Sequence, residues 1–193
     1  MYPATGLTRR VLEQRGFRGF VRFDELAARG VPGEAGVYAV VRPAKAHPAF
    51  APRSTAGHHK RRGDPSVTVD ELLAAWVDGA SVVYIGKASA GKDGRRGLRK
   101  RLDEYRRHGA GGAAAHWGGR YIWQLEDAPA LLVAWLPTPG QDPGDVEAGL
   151  IAEFVAFHGA RPFANRNKGR RPGAGRREQT QAHAPGTGTP ESG

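Results

Sequence analysis

The stretch SVVYIG, residues 81–86, decides how the chain is read. Valine, isoleucine and tyrosine in a short run that ends on glycine have the composition of a strand. AGVYAVV (35–41) has the same make-up upstream, so each strand carries a tyrosine in company with glycine: Tyr38 in GVY and Tyr84 in YIG. Glycine at such a place lets backbone or ligand come close. Taken singly, each tyrosine suits half-buried packing. Two further strands are expected downstream, at RYIWQLE (120–126) and LLVAWLP (131–137), joined by a short turn at Asp127–Pro129.

Helical signals alternate with these strands. GLRKRLDEYRRHG (97–109) and DVEAGLIAEFVAFHG (145–159) each end on a glycine stop. Thr68 is an N-cap for a shorter helix in DELLAAWVDG (70–79), with acids in the first turn and Gly79 as its stop. The fold class is therefore α+β, a small, mainly antiparallel sheet flanked by helices. From Arg42 to Gly63, prolines, small residues and six basic residues without an acid forbid a regular element. This stretch and the short helix form a long basic insertion, about 42–80, between the two tyrosine strands. Residues 1–34 read as a helical lead-in and 35–167 as the main domain. The segment 168–193 has no aliphatic residue larger than alanine and reads as a disordered basic tail.

Charge narrows the partner. The 193 residues hold 29 Lys and Arg against 19 Asp and Glu, a net charge of +10. The tail, with five basic residues and two glutamates, supplies +3 of this, so the folded body is basic in its own right. A polyanion is the expected partner. No apolar run approaches a spanning helix and MYPATGLTRRVLEQR lacks the apolar core of a signal peptide, so a soluble, cytoplasmic protein without a membrane partner is expected. With no cysteine, carboxylates and histidines are the available metal ligands, and a hard cation fits better than structural zinc.

Two charged side chains stand out on helical wheels. In 97–108, Leu98, Leu102 and Tyr105 share one face, and Arg99, Lys100, Arg106 and Arg107 fall outside it. Arg101 lies about 40° from Tyr105, at the border of the apolar stripe, where packing would turn its guanidinium toward the sheet. In 145–158, Val146, Leu150, Ile151, Phe154 and Phe157 define the buried arc and Glu147 falls inside it, with Asp145 far outside and Glu153 at the edge. A carboxylate on an apolar face is costly unless it is paired or binds a metal. Arg101 is the natural partner under either reading.

In order along the chain, Gly36-Val37-Tyr38, Tyr84-Ile85-Gly86-Lys87-Ala88, Leu98-Arg99-Lys100-Arg101-Leu102, Glu147-Ala148-Gly149-Leu150-Ile151 and Pro162-Phe163-Ala164-Asn165 resemble the ordered motifs of GIY-YIG nucleases. The resemblance implies that Tyr38 accepts the proton of the attacking water, directly or through a partner. It implies that Tyr84 orients water and phosphate with help from Lys87, and that Arg101 stabilises charge on the phosphate. Glu147 is then the single protein ligand of Mg2+ or Mn2+, and Asn165 closes the site. The long connection 42–80 departs from the short one usual in the family; it is either a recognition element or a flexible ornament.

The expected function is thus a metal-dependent endonuclease hydrolysing phosphodiester bonds in DNA. The alternatives are an inactive nucleic-acid-binding module, or RNA as substrate. Stacking of Trp117 and Trp123 on unpaired bases competes with plain packing. No histidine is assigned a role.

Overall fold

The six residues Gly36–Val41 are buried at every position, as a β-branched run must be when both of its faces are covered. This strand, β2, lies inside a four-stranded sheet with β1 (Arg18–Arg22), β3 (Val82–Ala88) and β4 (Leu132–Pro137), in the order β1-β4-β2-β3. All pairings are antiparallel. The computed structural model describes residues 6–59, 61–113 and 117–166; the tail expected at 168–193 lies outside them. The helices are α1 (Arg9–Gln14), α2 (Val69–Ala75), α3 (Leu98–Gly109) and α4 (Pro143–His158). The chain is an α+β fold with an open antiparallel sheet.

One core layer joins Tyr38, Val40 and Tyr84 to Leu98, Leu102 and Tyr105 of α3. The other joins Val37, Ala39 and Ile85 to Leu150, Ile151 and Phe154 of α4, with Leu12 of α1. Register explains one motif glycine: Tyr38 faces Gly86 across the β2–β3 ladder, and a Cβ at Gly86 would stand 2.5 Å from Cζ of Tyr38. A second glycine sets the start of α3. Gly97 has φ of 123° and a Cβ there would lie 1.9 Å from the carbonyl oxygen of Gly33. Close approach lets the Leu98 and Arg99 amides donate to the carbonyls of Glu34 and Pro32, both at 2.9 Å. The first turn of α3 is thereby tied to the segment leading into β2.

Four expectations need correction. RYIWQLE is not a strand: Arg120–Gln124 is a 3-10 turn entered through Gly119 in the left-handed region. Its apolar residues Tyr121, Ile122 and Trp123 are all buried in the core, so a short aromatic and β-branched run with the composition of a strand is used here as a buried turn. Residues 1–34 are more than a helical lead-in, since Arg18–Arg22 forms an outer strand paired with β4. Phe157 is 47% exposed rather than buried, because it lies in the last turn of α4, covering Gly6. Helix α2 is capped by Thr68 as expected but stops at Ala75, before Gly79.

The connection 42–80 is irregular yet laced to the body. Amides of Ala51, Thr55 and Gly57 donate to carbonyls of Gln124, Trp123 and His108 at 2.8, 3.0 and 2.8 Å. The fully buried Gln124 side chain accepts from the Val67 amide at 2.8 Å and donates to the carbonyls of Ala51 and Val67. Arg42, 6% exposed, bonds Asp127 at 2.7 Å and the carbonyls of Ala44 and Ala46. Such bonds satisfy the polar groups that an irregular buried segment carries.

Candidate active site

Strand β3 is common to both halves of the site. On the α3 side, the rings of Tyr38 and Tyr84 stand 5.9 Å apart, and Tyr105 closes a triangle at 6.1 and 5.7 Å from them. Arg101 precedes Tyr105 by one helical turn, so both point to the same face of α3. Its guanidinium interacts with Tyr38 and Tyr84. Burial works against its charge, and the two tyrosines more than offset that, raising its pKa above the ordinary value. Its Nε is enclosed without a hydrogen-bond partner. Glu104, which also favours the Arg101 charge, is itself bonded by Arg96 at 2.9 Å.

The hydroxyl of Tyr38 is wholly buried and makes no hydrogen bond of standard geometry, although it faces Tyr84 and Arg101. Tyr84 is held neutral: burial and then the neighbouring Tyr38 push its pKa well above the usual tyrosine value, Arg101 pulls it down, and Glu147 adds a smaller upward push. Tyr105 is also raised, chiefly by burial and then by Tyr84 and Tyr38; its hydroxyl donates to the Gly119 carbonyl at 2.7 Å. The backbone at Gly118 and Gly119 packs on Tyr84, where a Cβ would come within 3.0 Å of the hydroxyl and 2.8 Å of the ring.

On the α4 side, Glu147 sits one turn into the helix that Asp142 caps by accepting from the Gly144 amide at 2.7 Å. Its partner is Lys87, at 3.1 Å, and not Arg101 as expected. The helical wheel gives the direction of Glu147 but not which cation reaches it; Lys87 follows Tyr84 by three positions on a strand of period two, and so emerges on the α4 side. Glu147 still lies close enough to Tyr84 to raise its pKa. Tyr38, Tyr84 and Arg101 thus form one group, Lys87 and Glu147 a second, and Tyr84 lies within the field of both.

Asn165 belongs to neither. It accepts from the Ile85 amide at 2.9 Å and donates to the Ile85 carbonyl at 2.8 Å, while the Ala164 amide donates to the Val83 carbonyl at 2.9 Å. The side-chain amide completes the outer edge of β3 as another strand would. Asn165 therefore positions the strand that carries Tyr84 and Lys87.

The donor set suits one kind of metal. Among the described residues no group of three or more His, Asp or Glu side chains comes together as a ligand cluster. The Glu147 side chain, 20% exposed, offers one accessible carboxylate. A hard cation that keeps most of its water and takes phosphate oxygens fits such a site, provided Lys87 yields its place. The Gly118–Gly119 backbone escaped the sequence reading, which places Tyr105 on the apolar face of the helix and gives it no part in the site, although its spacing of four from Arg101 puts the two side by side. Compared with protein-family models, with curated proteins and with solved structures, the chain has no match in any of the three. No helix among the described residues is long and apolar enough to cross a membrane.

Proposed function

We propose that the chain is a metal-dependent endonuclease that hydrolyses phosphodiester bonds in DNA by a GIY-YIG-type mechanism. The observation that carries this reading is Arg101, a guanidinium pressed among tyrosines with an unsatisfied Nε. A structural arginine so placed would be given a carboxylate. One left with phenols is ready for an anion that arrives from outside, such as a phosphate that gains charge during reaction.

In this scheme Arg101 holds a phosphate oxygen and offsets the developing charge. Tyr84, neutral through the physiological range, donates a hydrogen bond to water or phosphate. As water attacks phosphorus, the bond to the leaving oxygen breaks and the water proton passes toward Tyr38. Because Tyr38 is fully buried, the proton moves by relay: Tyr84 takes it from the water as its own passes to Tyr38, which must be a phenolate to receive it, and the leaving oxygen takes its proton from solvent. Glu147 would hold Mg2+ or Mn2+, which when bound supplies Lewis-acid stabilisation of the leaving oxygen. Lys87 adds positive charge beside it.

A second reading, a nucleic-acid-binding module without activity, is favoured by the Lys87–Glu147 pair, because an internal cation already neutralises the carboxylate. Cleavage of supercoiled plasmid and branched DNA with Mg2+ or Mn2+ separates the two. Cutting by the wild type and not by Glu147→Ala is expected. Tight binding without cutting under every metal would support the module.

A further inference from the structure

The indole of Trp117 lies immediately before the Gly118–Gly119 backbone that packs on Tyr84, and two arginines gather on it. Arg120 places its guanidinium carbon 4.4 Å from the ring centroid, and Arg62, from the connection 42–80, places its own at 5.3 Å. His59 meets the same ring edge-on at 5.4 Å. Stacking on an indole fixes a guanidinium while leaving its charge and in-plane N–H donors free. Neither arginine is in a salt bridge among the described residues, and the enclosed Nε of Arg120 has no partner. Glu71, the carboxylate that acts on Arg120 among the described residues, accepts from the Tyr121 hydroxyl. Burial, joined by repulsion from the neighbouring Arg62, holds the Arg120 pKa below the ordinary value, against partial support from Tyr121 and Glu71.

Two guanidiniums without salt-bridge partners among the described residues, stacked on the ring that directly precedes the glycine backbone packed on Tyr84, match the repeating anion of a nucleic-acid backbone. We propose that Trp117, Arg62 and Arg120 form a second phosphate subsite, which holds the phosphodiester next to the scissile one on the same DNA strand. Trp117 is one residue from Gly118 and two from Gly119, so the extended span from the Tyr84 contact to the indole-bearing backbone is at most about 7 Å. The subsite gives the connection 42–80 a part in substrate binding, and it rests on the nuclease reading for the identity of the strand it holds.

The test is the salt dependence of binding, measured by fluorescence anisotropy with a single-stranded oligodeoxynucleotide and full-length protein in EDTA, so that no cleavage intervenes. Arg62→Ala and Arg120→Ala should each weaken binding and each lower the slope of log affinity against log salt by about 0.7 for this single strand. Between about 50 and 200 mM salt, each variant should then lose about 2.6-fold less affinity than wild type does. Arg10→Ala, an exposed arginine on α1, controls for charge loss alone and should keep the wild-type slope. Trp117→Ala should weaken binding with both arginines still present. If Arg120→Ala does not fold, Arg62→Ala, which lies on the surface, carries the result. Unchanged slopes in Arg62→Ala and Arg120→Ala, an equal change in Arg10→Ala, or no binding by wild type overturns the subsite. Plasmid cleavage by wild type with added metal is scored separately: cutting with unchanged slopes leaves the nuclease reading intact and removes the subsite, whereas lowered slopes without cutting keep a phosphate-binding site at these arginines and remove the nuclease reading, and with it the place beside a scissile phosphate.

Discussion

Replacing Asn165 tests whether its role is architectural or chemical. Its side-chain amide satisfies both main-chain groups of Ile85 at 2.8 and 2.9 Å, and it is itself 9% exposed. Asn165→Ala strands one buried donor and one buried acceptor, each at a cost of about 1–3 kcal/mol. Some of this is recovered where water reaches the strand edge, so a loss of about 2–4 kcal/mol is expected. Asn165→Asp gives a sharper result. As a carboxylate it still accepts from the Ile85 amide but faces the Ile85 carbonyl, acceptor against acceptor; as a carboxylic acid it donates there and restores both bonds. The aspartate pKa must then be raised in the fold, so its stabilising contribution is present below the unfolded value and is lost as pH rises through the folded one. Relative to wild type, the variant should be more stable near pH 4 than near pH 7. Urea unfolding followed by circular dichroism, at several pH values and with m compared, measures both effects. If Asn165→Ala loses less than about 0.5 kcal/mol yet all activity, the positioning argument fails and Asn165 takes part in the chemistry.

Gly86→Ala should cost about 1–3 kcal/mol by overpacking, because its Cβ would stand 2.5 Å from the Tyr38 ring; thermal unfolding reads this, and cleavage should fall further than stability alone explains. Lys87→Met removes the cation that occupies Glu147, and Mn2+ titration should give a tighter site, by up to about fivefold for a pair this exposed. His108, wholly buried, has its pKa lowered by burial, against a smaller upward pull from the Gly112 backbone. Its contribution is present above the unfolded value and lost as pH falls. Stability should therefore fall as pH drops below about 6.5, and His108→Gln should flatten that fall in a series of urea curves.

Much of the fold was legible where sequence and packing agree. Gly36–Val41, Val82–Ala88 and Leu132–Pro137 carry β-branched or apolar runs, and α3 and α4 keep their apolar faces; α4 keeps its glycine stop at Gly159, whereas α3 includes Gly109 and ends on Ala110. Arg18–Arg22 was hidden because RGFVR has no such run and includes Gly19 and Phe20 at φ of 97° and 54°, at the point where its register against β4 shifts. The 3-10 turn at Arg120–Gln124 was hidden because Tyr121, Ile122 and Trp123 are residue types that strands favour. The facing of Arg101 and Glu147 could be read from helical period. Their partners could not, since those depend on which side of β3 each neighbour emerges.

The strand order also governs when the sheet can be assembled. β4 lies between β1 and β2, so β1 has no neighbour, and β2 lacks one of its two, until residues 132–137 have been made. During synthesis the apolar run Gly36–Val41 therefore waits with one backbone edge open, and β3 can join it only by closing the loop formed by residues 42–81. Contacts this distant in sequence slow folding and lengthen exposure to aggregation. The bonds from Ala164 and Asn165 to β3 come from still later in the chain, so the edge that carries the YIG strand is the last to be sealed.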